Sequence, residues 1–350
     1  MSGSAKSALV FQGGGALGAY ELGAARALYR DPLFAPDLIA GVSIGAITAS
    51  LLARPKAGMT SLQALEAFWQ RVTVPASDWP DFIRPYASFF GNRHFFTPRH
   101  DYFGFLNWTY FYHSEPLRQT LKELLDLDAL ADKAATPRLL MSATDLEDGQ
   151  ITYFYSNHPG YHLSLDHIMA SGSLPPAFNW TTIDRKRYWD GGLFDNTPLG
   201  AVLDHLNDGP EVDRTVYVIN LFPNKAKIPT NMVEIAARIK NLQFVNKSRE
   251  DIKLLCRFNQ VAALVQAIEA LPGGNPLQDH PAYKAIKAQG YLRVPHIVAV
   301  TPPETPEEYA DADFSPEAIE RRASEGDRQT SKALNRPGAG DQKRCSEGDR

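Results

Sequence analysis

Three short stretches of this 350-residue chain carry residue types that could do chemistry. The first is Gly13-Gly14-Gly15-Ala16-Leu17-Gly18, set directly after an apolar run and ahead of a helical pattern. Successive glycines let the backbone approach a ligand closely, and N–H groups at a helix start attract negative charge. Two functions fit, an oxyanion hole or a phosphate cradle. The spacing also satisfies Gly-x-Gly-x-x-Gly, the dinucleotide fingerprint, which wants an acidic residue near the end of the next strand. Asp37 stands instead at the beginning of that strand. No Gly-Lys-Ser/Thr follows, which excludes a P-loop.

The second stretch is Gly41-Val42-Ser43-Ile44-Gly45, a Gly-x-Ser-x-Gly pentapeptide between strand and helix patterns. A sharp strand-to-helix turn needs small flanking residues, and it presents the serine Oγ at the start of the following helix. The alternative is a plain connection in which Ser43 caps that helix. The third is Asp190-Gly191-Gly192, either a turn or a carboxylate placed to act as general base toward a serine.

The three stretches fit one mechanism. Asp190 accepts the proton of Ser43, Oγ attacks an ester carbonyl, and the amides of Gly13, Gly14 and Gly15 stabilise the tetrahedral oxyanion. Water then resolves the acyl-enzyme. Their order, Gly-rich turn, Gly-x-Ser-x-Gly elbow with Gly41 and Gly45, and later Asp-Gly-Gly, resembles the patatin-like phospholipases, which use a Ser–Asp dyad. Ala170-Ser171-Gly172-Ser173-Leu174-Pro175-Pro176-Ala177-Phe178 is similar to that family's Ala-Ser-x-x-x-Pro-x-x-Phe segment. Asn196-Thr197-Pro198 resembles the continuation of its aspartate motif. One departure is that Ala16-Leu17 fill the place where many members carry an arginine. The resemblance implies a lipid or acyl-ester substrate met in transient contact with a membrane surface, with no metal ion and no cofactor.

Two rivals are carried alongside. A Ser-Asp-His triad of the α/β-hydrolase kind is permitted by chain order, since His205, His280 and His296 follow Asp190. Against it, only two strands precede Ser43, whereas that fold places several before its elbow. The other is a non-enzymatic dinucleotide-binding module.

The elements that must position these residues alternate between strand and helix. Residues 8–11, 37–40, 138–143 and 215–221 read as buried strands, and 17–29, 46–53, 61–72, 115–127 and 165–171 as helices. Asp148-Gly149 marks a hairpin into 151–155. That is an α/β pattern, expected to form a three-layer α/β/α fold around a mainly parallel sheet. Residues 232–271 turn helical in period, as one hairpin or two long helices, and Ser315-Pro316 is an N-cap and first-turn pair for a last helix. The expected organisation is a catalytic core over 1–230, a C-terminal helical extension packed on it over 231–334, and a disordered tail over 335–350, of which residues 336–350 are dispensable.

Within the core, residues 79–113 hold 14 aromatic side chains among prolines and glycines. This insertion is either a satellite core or a lid or wall for an acyl chain, for which the pairs Phe89/Phe90 and Phe95/Phe96 are the candidates. A net charge of −4 gives no overall electrostatic footprint for nucleic acid. Two cysteines, Cys256 and Cys345, make no disulfide framework, which suggests reducing surroundings. Without signal-peptide features ahead of Leu9 and without a run of 18 apolar residues, the expected location is cytoplasmic. No motif speaks to oligomeric state.

Overall fold

The computed structural model describes residues 6–75, 90–206, 214–223, 225–288, 294, 296–303 and 309–335. Its sheet is built around β1 (Lys6–Phe11), which lies between β2 (Leu38–Gly41) and β9 (Arg214–Ile219), both parallel to it. β10 (His296–Val300) adds in parallel beyond β9, and β5 (Arg138–Asp145) in parallel beyond β2. Past β5 the sheet turns antiparallel with β6 (Ile151–Tyr155), β8 (Lys186–Asp190) and β7 (Thr181–Ile183). This is the expected mainly parallel sheet flanked by helices.

The layering follows from alternation along the strands, since successive side chains point to opposite faces. Leu9 and Phe11 of β1 enter one core together with Leu22 of α1 (Ala19–Leu28), Ile47 of α2 (Ile44–Ala53) and Phe68 of α3 (Ser61–Val72). Ala8 and Val10 enter the other, with Val202 of α7 (Leu199–His205) and Leu255 of α8 (Met232–Glu269). Burial on both faces makes the strand read as one continuous apolar run rather than an alternating one. On the first face an outer helix, α10 (Pro316–Leu334), contributes Ile319, Ala323 and Ala333 to the core. Arg30, just past α1, pairs with its Asp327.

The register of β5 brings distant parts of the chain together. β6 pairs with residues 140–144 and so occupies one whole edge. β2, at 138–141, and β8, at 143–145, must therefore share the opposite edge. β2 runs parallel to β5 and ends at Gly41 opposite Met141; β8 runs antiparallel and ends at Asp190 opposite Ala143. The two strands thus run head-on and stop two positions apart along one edge. Whatever follows Gly41 meets whatever ends β8.

Some elements depart from expectation. Residues 232–271 form neither a hairpin nor two helices but one 38-residue helix, α8. No glycine or proline interrupts it, Asn231 Oδ1 caps its start by accepting the Glu234 N–H at 2.9 Å, and Pro272-Gly273-Gly274 follows its end. The helix expected over 115–127 is divided into α4 (Glu115–Leu124) and α5 (Leu127–Ala131), because Asp126 Oδ1 accepts the N–H groups of Asp128 and Ala129 and starts a new helix. The region after 231 is not purely helical either, since it supplies edge strand β10. Cys256 lies on α8, and no free cysteine occurs among the described residues. No helix among the described residues is long and apolar enough to cross a membrane. The tail beyond Asn335 and residues 76–89 lie outside the described residues.

Candidate active site

Ser43 occupies the sharp turn between β2 and α2, with φ 56° and ψ −123°. A non-glycine residue there carries backbone strain of order 1–3 kcal/mol. The turn is held by contacts only glycines allow: a Cβ on Gly41 would lie 2.1 Å from the Gly45 carbonyl oxygen, and one on Gly45 would lie 2.6 Å from that of Phe11. Ser43 stands at the N-cap of α2, yet its side chain makes no capping hydrogen bond. The hydroxyl is thus left for other use, and the positive end of α2 lies beneath it. The Ser43 N–H donates to Ser171 Oγ at 3.1 Å.

Asp190 is 1% exposed. Its Oδ1 accepts the Gly192 N–H at 2.7 Å, while the buried Oδ2 has no completed hydrogen bond. Burial pushes the carboxyl pKa up to about 7; the Ser43 hydroxyl, the Gly192 N–H and the charge of Lys240 oppose that rise. The Ser43 hydroxyl is therefore near enough to act on the carboxyl without bonding to it, a loose geometry common in sites without substrate. The backbone of Asp190 is fixed by its N–H to Ser173 O at 3.0 Å and by Thr144 Oγ1, which donates to its carbonyl at 3.0 Å.

The Gly-rich turn lies against the serine: a Cβ on Gly13 would be 3.1 Å from Ser43 Cβ. Its three amides are not equivalent. The Gly13 N–H donates to Asn196 O at 3.3 Å, and Asn196 Nδ2 donates back to Gly13 O at 2.9 Å. The N–H groups of Gly14 and Gly15 have no hydrogen-bond partner among the described residues. Gly15 has φ +57°, and a Cβ there would lie 2.4 Å from the Asp311 carbonyl oxygen. The open donors are thus Gly14 and Gly15, with Gly13 tying the turn to the aspartate loop.

Ser43, Asp190 and all three glycines line one cavity of about 370 Å³. Away from this polar end its walls are apolar, formed by Ile47, Phe96, Leu174, Phe178, Phe244 and Phe314 among others. Phe95 and Phe96, each 7% exposed, come from the aromatic insertion. Of the other proposed pair, Phe90 is 66% exposed and does not line the cavity, and Phe89 lies outside the described residues.

Among the described residues no histidine lines the cavity. His205 Nδ1 bonds to Ala201 O at 2.8 Å and its ring packs on Tyr155; His280 Nδ1 accepts the Ala282 N–H at 3.2 Å; His296 begins the edge strand β10. Asp37, the acid nearest a dinucleotide pattern, is held by Lys6 Nζ at 3.1 Å and the Ser7 N–H at 2.9 Å.

Sequence reasoning did not assign three groups that the fold brings here. Ser171 Oγ receives the Ser43 N–H, and Ser173 O receives that of Asp190, so the Ala170–Phe178 segment ties both halves together. Asn196 links them to the Gly-rich turn. Lys240, on α8, pairs with Asp311 at the cavity wall. The first two lie in motifs that sequence resemblance had already marked; nothing in the local pattern singles out Lys240 among the charges of α8.

A family model described as patatin-like phospholipase matches residues 9–203, more than half of the chain. No curated protein sequence matches. Among solved structures, VipD from Legionella pneumophila is similar at 15% identity and a TM-score of 0.43, over 95% of this chain and 67% of that one. The heterodimeric ExoU–SpcU complex of the Pseudomonas aeruginosa type III secretion system is similar at 15% identity and a TM-score of 0.31, over 91% and 74% respectively. Likeness at that level carries no argument about activity.

Proposed function

The chain belongs to the patatin-like phospholipase family of lipid hydrolases, and on that premise we propose that it cleaves carboxylic esters of phospholipids or related acyl lipids through a Ser43–Asp190 dyad. One observation carries the reading: a strained serine and a buried aspartate, brought together by β2 and β8, at the polar end of a cavity with apolar walls. The Asp190 carboxylate takes the Ser43 proton as Oγ adds to the ester carbonyl. The N–H groups of Gly14 and Gly15, assisted by the N-terminus of α2, hold the oxyanion. Collapse expels the alcohol, which leaves with the proton from Asp190. Water then adds to the acyl-enzyme with Asp190 again as base, freeing the fatty acid and Ser43. A base with pKa about 7 is matched to this work near neutral pH.

A fluorophosphonate probe tests the assignment. It is expected to label the full-length protein on the peptide that carries Ser43 and to leave Ser43→Ala unlabelled. Labelling of a different serine in an active preparation would remove Ser43 from the mechanism.

The apolar wall gives a second expectation. Each methylene buried contributes about 0.8 kcal/mol, so four extra carbons favour a long ester by roughly two orders of magnitude. Phe96 is also part of the aromatic packing with Tyr112 and Phe178, so a conservative Phe96→Leu is the informative change. It is expected to reduce kcat/KM for a laurate ester several-fold more than for a butyrate ester. Equal losses on both would make this wall structural packing and place the acyl chain elsewhere.

A further inference from the structure

A second, wider groove of about 1050 Å³ adjoins the cavity, and Lys240, Tyr309 and Asp311 belong to the walls of both. Its lining carries Lys225, Lys227, Arg238 and Lys240 against Glu234 and Asp311. That is a surplus of positive charge on a chain whose net charge is −4. All four cations lie beyond residue 203, where the family match ends.

The groove also holds a buried donor without an acceptor. Asn241, in its wall, is 3% exposed. Its Oδ1 accepts from Arg238, which fixes the orientation of the amide. The remaining group, Nδ2, has no hydrogen bond among the described residues. Buried polar groups normally find partners, so such a donor points to an acceptor supplied from outside. Arginine and lysine around it favour an oxyanion, phosphoryl oxygens above all.

We propose that this groove is a head-group site, in which Asn241 Nδ2, Arg238 and the neighbouring lysines receive the anionic phosphoryl group of a lipid whose acyl ester lies at Ser43. The proposal rests on the hydrolase reading above, since it assigns the two connected spaces to two ends of one substrate. It makes that substrate a phospholipid or lysophospholipid rather than a neutral glyceride.

Binding tests it independently of turnover. Full-length Ser43→Ala is titrated calorimetrically with 1-lauroyl-lysophosphatidylglycerol and, separately, with monolauroylglycerol, which shares its acyl chain and ester. The lysophospholipid is expected to bind at least about ten-fold more tightly at low salt. Adding Lys227→Gln and Arg238→Gln, or Asn241→Leu alone, is expected to remove most of that preference while monolauroylglycerol still binds. Equal affinity for the two lipids in Ser43→Ala would overturn the proposal, as would a preference untouched in folded variants. Inorganic phosphate is expected to compete only weakly with the lysophospholipid. If it binds as tightly as the lipid, the groove is a free-phosphate site and the head-group assignment fails. None of these outcomes depends on ester hydrolysis, whose own failure would appear in the fluorophosphonate and turnover measurements on wild type.

Discussion

Replacing Ser43 with alanine is expected to lower kcat for ester hydrolysis by roughly 10⁴- to 10⁶-fold, the range seen when a serine nucleophile is removed. The fold should survive, because the turn rests on the close contacts of Gly41 and Gly45 rather than on a hydroxyl that caps nothing. The strain at φ 56° supplies a sharper check. Alanine suffers the same steric penalty in that conformation as serine, whereas glycine does not. Ser43→Gly should be equally inactive yet more resistant to chemical denaturation than Ser43→Ala by about 1 kcal/mol. Near-wild-type turnover in either variant would eliminate Ser43 as nucleophile. A glycine variant less stable than the alanine one would show that the turn is not strained as described.

Asp190→Asn is expected to cost about 10⁴-fold in kcat, because the proposed dyad has base and nucleophile act as a unit. Single replacements of His205, His280 and His296 should each change it little; a collapse on losing one of them, with the fold intact, would favour the triad. In wild type, kcat/KM should rise with pH and level off above about 7, since the proposed mechanism needs the Asp190 carboxyl ionised. Its burial has the opposite consequence for stability. The folded-state pKa lies above the ordinary aspartate value of 3.8, so the native state favours the protonated form. Below the unfolded pKa the residue is neutral in both states and costs nothing by this route. As pH rises from about 4 to about 7 the unfolded chain ionises first, and stability falls until the folded carboxyl also ionises. The full penalty above pH 7 is roughly 4 kcal/mol, because each tenfold change in proton affinity is worth about 1.4 kcal/mol. Asp190→Asn should therefore match wild type in stability near pH 4 and exceed it at pH 8. A difference independent of pH would mean that the carboxyl is not held neutral by burial.

Much of the arrangement was legible before folding because the physics behind it is local. A strand-to-helix turn tight enough to expose a serine excludes side chains on both flanks, so Gly41 and Gly45 announce it within five residues. Strands buried on both faces read as short apolar runs, which is why β1, β2, β5 and β9 were found close to their bounds. The residues 115–127 misled because an N-cap at Asp126 divides a helical period without disturbing it. β10 was missed because its place depends on an edge of β9 far away in sequence.

Only the tertiary structure decided which groups meet. Asp-Gly-Gly alone describes a turn; the antiparallel register that sets Asp190 opposite Ala143, on the edge where β2 has just ended, makes it a neighbour of Ser43. Burial in that setting, rather than residue type, raises its pKa to about 7. The three glycine amides are identical in sequence, and it is the Asn196 carbonyl, 183 residues away, that engages one and leaves two open. The aromatic insertion offered many phenylalanines of equal chemistry; it is packing against Phe178 and Phe314 that places Phe95 and Phe96 in the wall. Residue spacing thus determined that a sharp serine turn exists, because steric exclusion acts between near neighbours. Strand register and long-range packing determined which carboxyl, which open donors and which apolar wall surround it, because hydrogen bonding and desolvation there come from parts of the chain that only the fold brings together.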